Sequence, residues 1–585
     1  MGNIERFGET SGMPRALEGA RYFGQWAGMP YSVYSSKEGN DDYGDDINVR
    51  SLMTNLLGGG SCYMPNSEGR KVPIELSLAI HSDAGYAKDG AGLIGSLSIC
   101  TTKFNDGKLN AGISRMASRD FADALLSNEV LDIKYKYKDW NRRELFDRNY
   151  SETRVPEVPS AILETMSHQN FPDMRYGQDP NFRFTLARSI YKTILRYVND
   201  QHGTAFMVEP LAPNTFQIDQ NGKGTVRLSW NPVDDPQELT AKPTGYMVYT
   251  AVGDADFDNG TYVRSKNYYE LQLEPNLLYH FKVTAVNRGG ESFPTEVLSA
   301  LYNPKATHTI MVVNGFHRLS SPAIRNTPTE QGFDLDEDPG VTYGPTFGWV
   351  GRQINFDRKL MGKEVGGLGD SGEELAGRLI AGNDFNYVKT HAEAIAKAGA
   401  YNIISCSSEA LEAMQPQPSK IAAIDLLLGL EQDDKHSLNY YKTFTTVMRQ
   451  TLTQYTAQGG ALLVSGAYVG SDMQETEEQQ FLANVLKCRY AGRYTNANGT
   501  VTGLGTAIQY WNQLNADHYA AVSTDVLLPV GTAYIAMQYA DGQDAGIAYK
   551  GTDYSAFTMG FPFECIKDEK KRNSVMRGLL NYLIK

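Results

Sequence analysis

The stretch ELSLAIHSDAG, residues 75–85, carries an alternating apolar run to a histidine and then turns. Ile74, Leu76, Leu78 and Ile80 share one face of the expected strand, and Glu75, Ser77, Ala79 and His81 share the other. Ser82, Asp83 and Gly85 are turn residues. In open α/β sheets, ligands bind outside the carboxyl ends of strands, and His81 is expected at such an end. A second run, VPSAILETM, reaches Glu164 before TMSHQNFPDM, which carries His168. An imidazole and a carboxylate at two strand ends are the residue types a hydrolytic zinc site needs, one to ligate and one to activate water. The structural alternatives are a packed histidine, and a glutamate that caps a turn or pairs with an arginine.

The surroundings of this stretch read as an α/β layer fold over residues 1–203. PRALEGARYFGQWAG, SRMASRDFADALLSNEVLDIKY and FRFTLARSIYKTILRYV have apolar residues at helical spacing. From 204 to 303 the pattern changes to short alternating runs broken by Pro, Gly and Asn, which calls for a β-sandwich. That segment resembles a fibronectin type III domain. Trp230, ending TVRLSW, matches the early core tryptophan, and Leu277 and Tyr279 match its corner tyrosine. From 304 to 585, THTIMVVNG, YNIISCS, KIAAIDLLLG and GGALLVSG are apolar runs typical of buried parallel strands. Helical segments intervene, so a doubly wound, flavodoxin-like α/β domain is expected.

Composition narrows the function. The net charge of −13 argues against nucleic acid as a partner, because phosphate binding needs a basic face. No apolar run is long enough to span a membrane, and the first twenty residues lack the apolar core of a signal peptide. The five cysteines are scattered without a CxxC pair, so buried thiols are expected rather than a disulfide framework.

IELSLAIHSDAG and PSAILETMSHQNFPDM resemble the zinc-histidine strand and the catalytic-glutamate strand of zinc-dependent N-acetylmuramoyl-L-alanine amidases. INVRSLMTN, with Arg50 and Asn55, resembles the segment before the histidine strand, and the order and spacing agree over residues 47–198. The resemblance implies His81 as a zinc ligand, Glu164 as the catalytic carboxylate, and hydrolysis of the amide between muramic acid and L-alanine. The family draws its other ligands from an earlier His-Gly turn and a glutamate, whereas this chain has no histidine before His81. The expectation is the C-terminal part of a split catalytic domain. Glu5, Glu9, Glu18, Asp83, His168 and His202 are the local candidates to complete the set. The acidic NDDYGDD, residues 40–46, is read as a solvated turn, with Ca²⁺ binding as the alternative.

In the last segment, GGALLVSGAYVGSDM resembles the strand and elbow of class I glutamine amidotransferase-like domains, with Tyr468 in the nucleophile slot, which implies a non-catalytic relative. Cys406 follows another strand without a histidine partner in its spacing. GLGDSG, residues 367–372, fits a dinucleotide fingerprint but no apolar strand precedes it. The acid-rich EQDDKHSLNYY follows an expected strand and is the better ligand candidate there. Together these readings give a periplasmic or extracellular envelope protein of the type sometimes named xanthan lyase, its partner a peptidoglycan fragment or polysaccharide. Hydrolysis at a zinc site, a non-catalytic wall-binding scaffold, and polysaccharide processing are the three functional readings.

Overall fold

In the computed structural model, which describes residues 12–65, 69–347, 358–360, 372, 374–375 and 377–584, the run around His81 forms strand β1 (Ser77–Asp83). VPSAILETM forms β4 (Ser160–Ser167). Two strands that alternation does not reveal complete the sheet, β2 (Ser96–Cys100) and β3 (Arg142–Asp147). The order is β1-β4-β2-β3, with β1 parallel to β4, β2 antiparallel to β4, and β3 parallel to β2. β2 escapes a period-two reading because every residue in it is buried, so SLSIC has no polar face.

Leu78, Ala161, Leu163 and Cys100 pack against Phe121, Leu125, Ile190 and Tyr197 from two long helices. Each fully buried Leu or Phe contributes about 1.5–3 kcal/mol. The helices are Met116–Tyr137 and Pro180–His202, both expected from apolar spacing. The second starts where Asp179 accepts a hydrogen bond from Asn181 N and Pro180 opens the first turn; it stops at Gly203 with φ +62°. The opposite sheet face carries Ala79, Leu97, Ile99 and Ile162, and on the same rows His81 and Glu164.

The acidic stretch is not a solvated turn. Asp41 caps the helix Asp42–Leu57, accepting from Gly44 N at 2.9 Å, and Asp42 and Asp45 occupy its first turn. Carboxylates there oppose the helix dipole. Asp45 is fully buried and accepts from Lys37 N and Gly39 N.

The chain divides into two compact units. The first holds Met1–Phe206 together with Ser320–Gly340 and Phe347–Arg378; the second holds Met207–Leu319, Val341–Thr346 and Leu379–Lys585. In the first, the hairpin Ala323–Asn326/Gln331–Asp334 packs Phe333 on Phe171 at 5.1 Å between ring centroids. Gln331 also donates to Gly90 O at 2.6 Å, so a distant stretch of sequence covers the loops beyond β1 and β4.

In the second unit a sandwich pairs Asn214–Gln220, Thr225–Asn231 and Tyr268–Gln272 in one sheet. Gly245–Val252, Leu278–Asn287 and Leu298–Leu301 pair in the other. Trp230 is buried and meets Tyr246 edge-on at 5.3 Å. Tyr279 Oη accepts from Glu274 N at 3.3 Å, the corner that fixes the turn before its strand. Beyond the sandwich, five parallel strands stand in the order Asn402–Ser407, Thr309–Asn314, Ala423–Gly429, Ala461–Gly466, Ser555–Met559. The protein is thus multidomain, with mixed helix and sheet content and a β-sandwich.

Candidate functional site

β1 and β4 run parallel in register, so His81 and Glu164 are direct cross-strand neighbours on one sheet face. Both strands continue past these residues, and an irregularity between His81 and Asp83 gives β4 one extra residue opposite them. Thr165 Oγ1 donates to His81 O at 3.0 Å and pins the row.

Glu152 is the partner that sequence reasoning missed. Its Oε2 lies 2.9 Å from His81 Nε2, and its Oε1 accepts from Arg50 Nη1 at 3.0 Å. Arg50 Nη2 in turn donates to Asp46 at 3.1 Å. Glu152 sits on the single turn Ser151–Arg154, which the helix Asp42–Leu57 tethers. Ser51 Oγ donates to Ser151 O, Ser151 Oγ to Asn48 Oδ1 and Asn55 Nδ2 to Val155 O. The hydrogen bond to Glu152 raises the His81 pKa above the ordinary imidazole value, outweighing its partial burial. Burial pushes Glu152 up, but the bonds from His81 and Arg50 win and hold it below the usual carboxylate range. Burial raises Glu164, the neighbouring His81 charge only partly offsetting it, and Glu164 Oε2 is buried with no hydrogen-bond partner. The face therefore presents an imidazole paired with one carboxylate, next to a partly desolvated carboxyl whose buried oxygen has no hydrogen-bond partner.

Asp83 pairs with Arg143 at 2.7 Å, and His168 Nδ1 bonds Ser82 Oγ at 3.1 Å, so both are engaged beside the site. His202 lies 3.2 Å from Glu75, and Glu18 is exposed at the end of the turn Arg15–Leu17. Glu5 and Glu9 lie outside the described residues. Among the described residues, no third histidine, cysteine or carboxylate brings a ligand atom within 4.8 Å of both His81 Nε2 and the Glu152 carboxylate. A catalytic zinc takes three protein ligands. The donors among the described residues fall short of that set, and Arg50 already bonds the Glu152 carboxylate.

Loops beyond β1 and β4 are held by buried Asp173, which accepts from Ile94 N, Gly95 N, Ser167 N and Asn170 Nδ2 at 2.8–3.0 Å. In the second unit, Tyr468 and Cys406 are both buried. The Cys406 sulfur rests 3.8 Å from Met311 Sδ, and burial pushes its thiol far above the ordinary range. Glu431, in the acid-rich stretch, accepts from the backbone N–H groups of His317 and Arg318, both at 2.8 Å, and burial raises it to about 7. GLGDSG lies outside the described residues except for Gly372. No described helix is long and apolar enough to cross a membrane.

Comparison with known proteins identifies one domain. Residues 211–300 match the fibronectin type III domain model, so the sandwich is of that type. No curated protein matches the chain. Among solved structures, it is similar to the twitchin kinase region of C. elegans at 24% identity, covering 17% of each chain, TM-score 0.15. It is similar to the exo-β-1,4-mannosidase Op5Man5 of Opitutaceae bacterium strain TAV5 at 11% identity, covering 34% of this chain and 31% of that one, TM-score 0.24. It is also similar to an N-acetylmuramoyl-L-alanine amidase of Clostridium difficile 630 at 18% identity, covering 26% of this chain and 64% of that one, TM-score 0.19. The chain thus spans less than a third of each of the first two structures.

Proposed function

We propose that the first unit is an amidase-like domain of a periplasmic or extracellular envelope protein, and that its His81–Glu164 face binds a peptidoglycan fragment. One observation carries this reading: Glu164 Oε2 is buried without a partner, beside an imidazole fixed by Glu152. Such an oxygen accepts a ligand amide N–H, and an N–H of the His81 imidazole suits the carbonyl side of the same amide. The resemblance of residues 47–198 to amidases supplies the ligand class, an amide next to a muramoyl group. Because the described donors do not complete a zinc set, binding rather than hydrolysis is the reading for this chain by itself. The fibronectin type III domain fits an extracellular spacer, and the last segment is read as a non-catalytic flavodoxin-like domain with Tyr468 in the elbow.

A second reading, hydrolysis, draws support from the same pair. Burial strengthens Glu164 as a proton acceptor towards water, and the His81 imidazole is an N–H donor for a developing oxyanion. Calorimetric titration with muramoyl dipeptide, with product analysis of the same mixture, tests both. Binding without cleavage, lost in His81→Ala and Glu164→Gln, is the expected result. Cleavage by the wild type that Glu164→Gln abolishes would establish the second reading, and no binding by a folded wild type would end both.

A further inference from the structure

At the far end of the same sheet, where β2 and β3 finish, the first unit holds an open cavity of about 430 Å³. Its walls include Thr101, Lys103, Phe104, Asn105, Asp106 and Asp147. β1 and β4 end on the other side, because β2 runs antiparallel to β4, so this cavity is separate from the His81 row. Its volume falls within the range of small-molecule sites, roughly 300–1,000 Å³.

The groups that line it are held in place by contacts outside it. Asp147 accepts from Thr102 N at 2.9 Å and from the Thr102 hydroxyl. Asn149, also on the wall, has its Oδ1 fixed by Arg154 Nη1 at 2.7 Å. Phe104 is 43% exposed, and the guanidinium carbons of Arg115 and Arg154 lie 5.2 and 5.7 Å from its ring centre. Asn105 and Asp106 both adopt left-handed backbone, φ +52° and +51°, ahead of Gly107 at +74°. Asn and Asp tolerate that conformation better than most residues, but two in succession are uncommon, and such strain persists where surrounding structure holds it.

We infer that this cavity is a saccharide subsite, with Phe104 as the platform for a sugar ring and Lys103, Asn105 and Asp106 as hydroxyl partners. Amide and ammonium donors stand beside carboxylate acceptors, so a polyhydroxylated neutral ligand satisfies both, whereas an ion of either sign meets a like charge. Asp147 and Asn149 are held by their own hydrogen bonds, so these two walls lose little freedom on binding. The two guanidiniums leave the Phe104 ring 43% exposed, so ring surface remains open to a ligand. The inference does not rest on the peptide reading of His81.

The test is titration of the full chain with the N-acetylglucosamine trimer, followed by NMR shifts and calorimetry. Saturable binding is expected, weakened at least tenfold in Phe104→Ala and in Asp106→Asn, which keeps a residue that tolerates the left-handed turn, with Leu131→Ala, exposed on the helix Met116–Tyr137, binding as the wild type does. Asp106 is on an exposed turn, so its variant keeps the test valid if Phe104→Ala does not fold. No saturable binding by wild type, or binding that both cavity variants retain, would overturn the inference. So would binding lost in His81→Ala, which would move the saccharide to the other site.

Discussion

Replacing Glu152 by glutamine keeps its shape and removes its charge, and the consequences follow from two bonds. Glu152 accepts from Arg50 at 3.0 Å and pairs with His81 at 2.9 Å. A hydrogen bond to a charged group is worth about 1.5–3 kcal/mol when shielded. The His81 and Arg50 side chains are 34% and 40% exposed, so solvent screening brings the pair down to about 1–2 kcal/mol together. That loss should appear in urea unfolding of the first unit, read by hydrogen exchange of β1 and β4 amides. The loss should also depend on pH. His81 is raised in the folded state, so its contribution is full below the ordinary imidazole value of about 6.5 and fades as pH rises through the folded value. Glu152 is lowered, so its contribution is lost only as pH falls through the carboxylate range. The gap between wild type and Glu152→Gln should therefore be widest between those limits, and above them keep only the Arg50 share. In the variant the His81 titration, followed by NMR, should move down toward the ordinary value. An unchanged His81 titration, or a stability loss that does not vary with pH, would refute this account of the row.

Two further outcomes follow from buried groups. Asp173→Ala strands four donors around the loops beyond β1 and β4, which should cost on the order of 3 kcal/mol and expose residues 86–95 to limited proteolysis. In the second unit, His391 lies fully buried between Asp425 at 2.8 Å and Glu564 at 3.2 Å, with Tyr519 donating to Glu564 at 2.7 Å. Burial alone would lower His391, yet the two carboxylates hold it up at about 9. His391→Leu leaves both buried acids without a counter-charge, Glu564 keeping only its bond from Tyr519, and should cost about 3–5 kcal/mol of that unit's stability, read by chemical unfolding. In the wild type the contribution should persist at neutral pH and decline as pH rises through about 9.

Local pattern made part of this molecule legible and long-range pairing hid the rest. The period-two run fixed the face of His81, and helical spacing located both helices behind the sheet. Trp230 and Tyr279 marked the sandwich because its core positions recur at known strand offsets. β2 stayed hidden because full burial erases alternation. The aspartates of residues 41–46 misled because a helix N-terminus and a polar turn share a composition. Glu152 was out of reach for another reason. It acts on His81 from 71 positions away, on a four-residue turn held by Ser51, Asn48 and Asn55, and no spacing rule connects those segments. The hairpin at 323–334 that covers Phe171 is hidden in the same way.

The most direct test of the His81 row is the zinc content of the purified chain, measured by mass spectrometry beside His81→Ala. With no third ligand atom within 4.8 Å of both His81 Nε2 and the Glu152 carboxylate among the described residues, the wild type should carry far less than stoichiometric zinc, and the variant no less. About one zinc per chain in the wild type, lost in His81→Ala, would contradict the binding-only account and turn the Glu164 carboxyl into the base of a working hydrolase.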